Sequence, residues 1–418
     1  MRKFITAALF SLSFIPAFSQ SSSIDSLKNV LSHANADTLK IRILNKLSEA
    51  TMNSDPVQSI EFSKQSVNII NTGTTVPENL QAETYYQQSR AYHLTGNLAN
   101  ATSSAKMAFK LAHDQLLQCK ICMMLGKCYF ETENYPSALE YDLKGLQLAE
   151  HLADKNKMGS CDNNIALVYR AQSNYAKALE YFNRSRQLFA QANDLHSEAI
   201  AWENLGGTFS GWNKNDSAIR CYSEAEKILR KLNDVNGLAN VLSNLGNAEV
   251  NSNSPDAFAH LNEALKLREQ VNDKAGICET HTDLGKFFLK KYKSSKGADD
   301  LKKAEDHLKQ AETIAKEINS IYSLKEISGD LSELYALKDD YRSAYNYLKQ
   351  TQAMNDSLSN ETFTRQIAEM QVRYELEKKQ KELELLDTKT RMKQLELENT
   401  RLQKQVDDSK KGGFNTGH

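Results

Sequence analysis

The sequence repeats itself at a fixed interval, and this limits the possible folds more than any other feature. Leu125-Gly126, Ile165-Ala166, Leu205-Gly206 and Leu245-Gly246 stand 40 residues apart. A period of this size marks a helical solenoid, in which each unit packs only on its neighbours. A chain of 418 residues built this way needs no single large core. In the regular units an aromatic residue is followed nine places later by alanine: Tyr129 and Ala138, Tyr169 and Ala178, Phe209 and Ala218. The aromatic closes a first helix and a short turn follows, as at Glu133-Asn134-Tyr135 and Ser173-Asn174-Tyr175. The alanine then lets a second helix approach closely. Ala178, Tyr181, Phe182 and Ser185 fall at i, i+3, i+4 and i+7, the buried stripe of an amphipathic helix. Five prolines and 17 glycines leave long helices uninterrupted.

The outer units are less regular. The first has Leu47-Ser48 and Ile60, and the second has Tyr92 with Ala101. After the regular block one unit is shorter by a residue, so the small residue comes at Ala257 and Phe258 takes the 40-residue step from Ala218. The next, at Leu284-Gly285, carries an insertion over Lys290 to Asp300 before Ala304, and the last has Tyr335 and Ala344. About eight helix pairs result. Asp194, Asp234 and Asp273 are expected to open turns, with Gly159, Gly237 and Gly276 just before the following helices.

The pattern L-G-x2-Y … A-x3-F/Y-x2-A resembles the tetratricopeptide repeat (TPR). Trp202, Leu205, Gly206, Phe209, Ala218, Tyr222 and Ala225 match it at every place. The 40-residue period is similar to the subclass with lengthened helices seen in kinesin light chain and in bacterial peptide-sensing regulators. The resemblance covers most of residues 40–355 and implies an all-α, right-handed TPR superhelix. From about Ser357 one long charged helix follows. Phe363, Ile367, Met370 and Tyr374 step as an a/d seam, which Leu385, Thr388, Met392, Leu395, Asn399, Leu402 and Val406 resume. The step of 11 between Tyr374 and Leu385 is a heptad plus a four-residue stutter. Asn399 at an a position would fix register and favour a dimer. Ile367, Met370, Tyr374, Leu385, Met392, Leu395, Asn399 and Leu402 are the expected homodimer seam; the other reading is a single solvated helix.

The stretch from Tyr347-Leu348-Lys349 through Gln366–Gln371 to Tyr374–Lys379 also resembles the junction in exported TPR sensors. In those proteins a membrane span and a histidine kinase or helix-turn-helix output domain come next. Here Gly412-Gly413-Phe414-Asn415-Thr416-Gly417-His418 follows Lys411. Two readings stay open: a self-contained adaptor, and the truncated input half of such a sensor kinase or transcriptional regulator.

Met1-Arg2-Lys3, the apolar run Phe4 to Ile15 and the small-x-small site Ala17-Phe18-Ser19 read as an export signal, with an uncleaved anchor as the alternative. The expected divisions are a signal peptide at 1–19, a TPR solenoid at 20–356, a coiled coil at 357–411 and a tail at 412–418. The expected location is periplasmic, with no transmembrane span in the mature chain. The 52 basic and 53 acidic side chains give a formal net charge of −1, a near-neutral balance that argues against a nucleic-acid binder.

No residue set nominates a catalyst, a cofactor or a metal, so an enzyme is not expected. The six cysteines fall where other units hold apolar or small residues: Cys119 aligns with Gly159 and Ala199, and Cys122 with Trp202. They read as packing residues, or else as a strained disulfide within Cys119-x2-Cys122. His260, His281 and His307 stand apart on separate helices, without metal-ligand spacing.

The sharper signal is Asn164, Asn204 and Asn244, again 40 apart and two before each small residue, continuing as Asp283 and Asp330. An amide offers both donor and acceptor and can hold a peptide backbone without reading its side chains. Amides spaced by a helix-packing distance of roughly 10 Å would meet every third residue of a strand rising about 3.3 Å per residue. The resemblance implies this role on the concave face, with Asn247, Lys127, Arg170 and Glu203 as groove neighbours. Ser160, Ile200 and Asn240 precede the ladder by one turn. The rival reading is that these asparagines satisfy polar groups between helices. Mixed polarity fits a peptide or protein segment as partner.

Overall fold

A computed structural model of the chain describes residues 17–72, 75–354, 379–380, 382–402 and 404. Most of the expected signal segment (residues 1–16), together with Ile367, Met370, Tyr374 and the 412–418 tail, lies outside them. All regular structure among the described residues is helical. The chain forms two compact units, Met1–Asp234 and Val235–His418.

In the first unit α1 (Ala17–His33) precedes five helix pairs. These are α2 (Asp37–Thr51) with α3 (Pro56–Asn71), α4 (Glu78–Leu94) with α5 (Leu98–Leu111), and α6 (Gln115–Glu131) with α7 (Tyr135–His151). Then come α8 (Lys155–Ala171) with α9 (Tyr175–Gln191), and α10 (Leu195–Gly211) with α11 (Asn215–Leu232). The second unit has α12 (Val235–Ser252) with α13 (Ala257–Gln270), α14 (Lys274–Ser295) with α15 (Ala298–Glu317), and α16 (Ile321–Leu337) with α17 (Tyr341–Ala353). The eight pairs are those the repeat demands.

Each pair closes on the same columns. Ala138, Ala178, Ala218, Ala257, Ala304 and Ala344 are all fully buried, which fixes the register through both the deletion and the insertion. On the first helix the small residue admits a large partner from the second. A Cβ added at Gly206, Gly246 or Gly285 would stand 2.6 Å from Tyr222, Leu261 or Leu308 respectively. Aromatic pairs Tyr129–Tyr141, Tyr169–Tyr181 and Tyr335–Tyr347 stack across the pair with centroids 5.6, 5.7 and 5.6 Å apart. Helix α1 sits on the outermost pair through Ile24, Leu27 and Leu31, against Ile43, Leu44 and Phe62.

Most connections in the regular block are three-residue joints, and they recur at half the repeat. Glu133, Ala153, Ser173, Asn193, Asn213, Asn233 and Asn253 have positive φ at every twentieth residue. Asparagine tolerates the left-handed region better than most side chains. The next residue serves both helices. The Asp154 N–H closes on the Ala149 carbonyl at 3.1 Å, ending α7 in a Schellman turn. Its carboxylate then accepts the Lys157 N–H at 3.0 Å and caps α8. Asp194 and Asp273 repeat this double use. Gly159, Gly237 and Gly276, expected before helices, lie instead inside α8, α12 and α14, because the capping position is earlier than the glycine. Gly159 leaves room for the Phe189 ring, which would stand 3.0 Å from an added Cβ.

Residues 382–402 form a separate helix, on which Leu385, Met392, Leu395 and Leu402 are each more than half exposed. No described helix is long and apolar enough to cross a membrane.

Candidate binding grooves

In both units the first helices of the pairs line an open polar groove. In the first unit, α2, α4, α6 and α8 enclose about 620 Å³. Its cations are Arg90, Lys120, Lys127 and Lys157, against Glu49 and Glu83. Arg90 lies 3.7 Å from Glu49 and 5.8 Å over the Tyr86 ring. Lys127 and Asn164, both expected groove residues, line it together. In the second unit, α12, α14 and α16 line a groove of about 750 Å³ that contains Asn247. Here the balance is reversed: Asp273, Glu279, Asp283 and Glu326 stand against Arg268 and Lys286.

The ladder asparagines hold different partners. Asn164 Nδ2 donates to Asp142 Oδ1 at 3.1 Å. Asn204 Nδ2 donates to Asn163 at 2.9 Å, and its Oδ1 accepts from Arg170 at 3.4 Å. Asn244 is half-buried on α12. Arg170, Glu203 and Asn204 are thus brought into one half-buried cluster between α8 and α10, apart from the residues lining either groove. Burial lowers the Arg170 pKa, while Tyr222 and Glu203 oppose that shift.

One buried carboxylate stands behind the first groove and another lines the second. Asp142 takes the column that Phe182 and Tyr222 fill in the next units, and is 1% exposed. Burial pushes its pKa up to about 8, with the Asn164 amide opposing. Gly126 leaves the space it occupies. Asp283 is pushed up to about 7 by burial, against hydrogen bonds from Asn247 and Ser243. Arg268, 3% exposed, donates to the Gly276 carbonyl at 2.6 Å, to Thr280 at 2.7 Å and to Asn240 at 2.9 Å. Sequence reasoning missed Arg90, Lys157 and Arg268, which lie off the ladder column. Lys120 was missed too, although the 40-residue step back from Ser160, Ile200 and Asn240 leads to it.

All six cysteines are free and buried, in keeping with packing roles. Cys122 and Cys161 crowd Gly145, where an added Cβ would lie 3.3 Å from Cys122 Cβ and 3.2 Å from Cys161 Sγ. Burial raises the Cys122 thiol to about 12. Two histidines expected to stand apart meet: His281 Nδ1 and His307 Nδ1 are 2.9 Å apart. The insertion between them hides this pairing from a fixed-period alignment. Among the described residues no group of three His, Cys, Asp or Glu side chains is arranged to hold a metal ion.

Residues 157–231 match the tetratricopeptide repeat family. Curated proteins give no significant sequence match. Among solved structures, the apo form of the quorum sensor NprR from B. thuringiensis aligns with a TM-score of 0.60 at 13% identity, over 80% of this chain and 92% of that one. A signal transduction ATPase (STAND) protein with a tetratricopeptide repeat sensor, from Pyrococcus horikoshii, gives 0.58 at 15% identity, over 87% of this chain and 56% of that one. A Rap protein complexed with Competence and Sporulation Factor gives 0.52 at 14% identity, over 85% and 100%. At such identities the likeness is one of fold. Residues 157–231 carry the tetratricopeptide repeat, and the described helices have the all-α fold of tetratricopeptide solenoids.

Proposed function

We propose that this chain is a non-catalytic scaffold that holds an extended peptide or protein segment in the grooves of its first helices, as a signal-input or adaptor module. The observation that carries the reading is the first unit's groove, where Arg90, Lys120, Lys127 and Lys157 outnumber Glu49 and Glu83 around Asn164. Asn164 is steadied from behind by Asp142, and among the described residues its Oδ1 takes no partner. It suits a backbone N–H, while the surrounding cations suit an acidic segment. The neighbours NprR and Rap bear names tied to sensing and to a bound factor, which supports the same direction. The junction that residues 347–379 resemble supports signal input. Export to the periplasm by residues 1–19 and dimerisation through the 357–411 segment belong to the same proposal.

The test uses an immobilised library of random hexapeptides. The parent chain should enrich acidic sequences, and Lys127→Glu, at an exposed position, should lose that enrichment while circular dichroism stays unchanged. Asn164→Ala should weaken capture of all sequences. A folded Lys127→Glu chain with the parent's enrichment would remove the groove from the reading.

A further inference from the structure

In the second unit a deletion and an insertion break the 40-residue period, and they converge on one cavity. The missing residue before α13 gives the buried packing place to Ala257 and turns Phe258 outward, where it is 42% exposed. The insertion lengthens α14, and the added stretch carries Lys290, Lys291 and Ser294. Phe258, Phe287, Phe288 and Val250 form the apolar side of a cavity of about 510 Å³. The three rings lie 5.1–5.8 Å apart centre to centre. In the regular units alanine (Ala138, Ala178, Ala218) occupies the 40-residue equivalent of Phe258.

The rim has one sign of charge. Lys290, Lys291 and Lys303 line the cavity and no Asp or Glu does. Lys291 is paired with Asp300 at 3.2 Å. Lys303 has no carboxylate partner among the described residues; its Nζ lies 5.6 Å from the Phe288 centroid. An apolar wall with a cation at its edge recognises an apolar body ending in an anion, and the volume lies within the range of small-ligand sites.

We infer that this cavity is a binding site for a small monocarboxylate with an apolar acyl or aryl body, its carboxylate held by Lys303. The site adjoins the second unit's groove, with which it shares Val250, and shares no lining residue with the first unit's groove. The apolar body would cover Phe258, removing an exposed ring from water. The carboxylate would exchange water for a charge-assisted hydrogen bond.

Isothermal titration of the full chain with decanoate, kept below its micelle-forming concentration, tests this. Decanoate should bind with one site per chain. Decanol, with the same body and no charge, should bind about tenfold more weakly, the size of one charge-assisted hydrogen bond. Lys303→Met should cause a similar loss with decanoate and leave decanol unchanged. Phe258→Ala, at a half-exposed position, should weaken both ligands without changing the melting curve. No saturable decanoate binding would overturn the inference. Equal binding of decanol, or full binding by folded Lys303→Met and Phe258→Ala chains, would do the same. Tighter binding of a peptide ending in Phe-COO⁻ than of decanoate would overturn the choice of a small carboxylate.

Discussion

Asp142 occupies a column that Phe182 and Tyr222 fill with aromatic rings, and only its Oδ1 has a partner, the Asn164 amide. Its Oδ2 is buried without one. Because burial raises its pKa to about 8, the folded chain keeps a proton that the unfolded chain releases near 3.8. Its contribution to stability is therefore full at low pH and is lost as pH rises through about 8. Asp142→Asn keeps the size and the acceptor for Asn164 but cannot ionise. At pH 8 it should be more stable than the parent by about 1–3 kcal/mol, the cost of an unsatisfied buried group. Below about pH 3.8, where the group is neutral folded and unfolded, the two should melt together; a parent as stable as the variant at pH 8 would sink the assignment. His281 works in the opposite direction. Burial and the neighbouring His307 lower its pKa to about 4, so its contribution is present above 6.5 and is lost as pH falls through about 4. The 2.9 Å contact needs one Nδ1 as donor and the other as acceptor, so the accepting ring is neutral and the pair cannot hold with both rings protonated. Proton-detected titration should show the His281 ring unchanged down to about pH 5; a midpoint near 6.5 would contradict the burial. Of these residues, only His281 and His307 drew notice in the sequence, as histidines standing apart; the break that Asp142 makes in its column went unused. The histidine contact depends on how far the insertion carries α15, which no fixed period supplies.

At the scale of the element, the short joints do most to set the helix lengths. Schellman closure and side-chain capping share one residue, so a substitution there weakens two helices. Asp154→Ala removes the acceptor for the Lys157 N–H while leaving the backbone closure to Ala149 in place. Loss of one cap is worth ~1 kcal/mol. Thermal unfolding should show that loss, and Asp154→Asn should restore most of it. An unaffected melting temperature in Asp154→Ala would mean the joint is held by its backbone bonds alone. This level was the most legible: the alanine and glycine columns, the eight pairs and the shifted Ala257 and Ala304 all follow from periodicity and size. The joints were less so. Periodicity shows where a turn falls, whereas the left-handed residue varies among Glu133, Ala153, Ser173 and Asn193 and leaves no single signature. The first helices were placed on the groove by repeat register, but the cations that give the first unit's groove its sign come from columns that change in every repeat.

For the whole molecule, the 382–402 helix carries a row of exposed apolar side chains. Leu385, Met392, Leu395 and Leu402 share the a/d spacing and are each more than half exposed in the single chain. Fully burying a leucine or methionine is worth about 1.5–3 kcal/mol, so four such residues paired with a second copy would favour association. Asn399 in the same seam would disfavour out-of-register and higher-order pairings at some cost in stability. Dimerisation would place two copies of each groove on one particle, which raises the apparent affinity for a partner displaying two segments without changing either groove. Light scattering of the full chain should therefore report a dimer. Leu395→Asp with Leu402→Asp should give a monomer whose helical content and melting curve match the parent's solenoid transition. The monomer should capture a single immobilised acidic peptide as the parent does, and lose the slow dissociation seen on a densely coated surface. A dimer that survives both substitutions would move the interface away from this helix and onto the helix pairs.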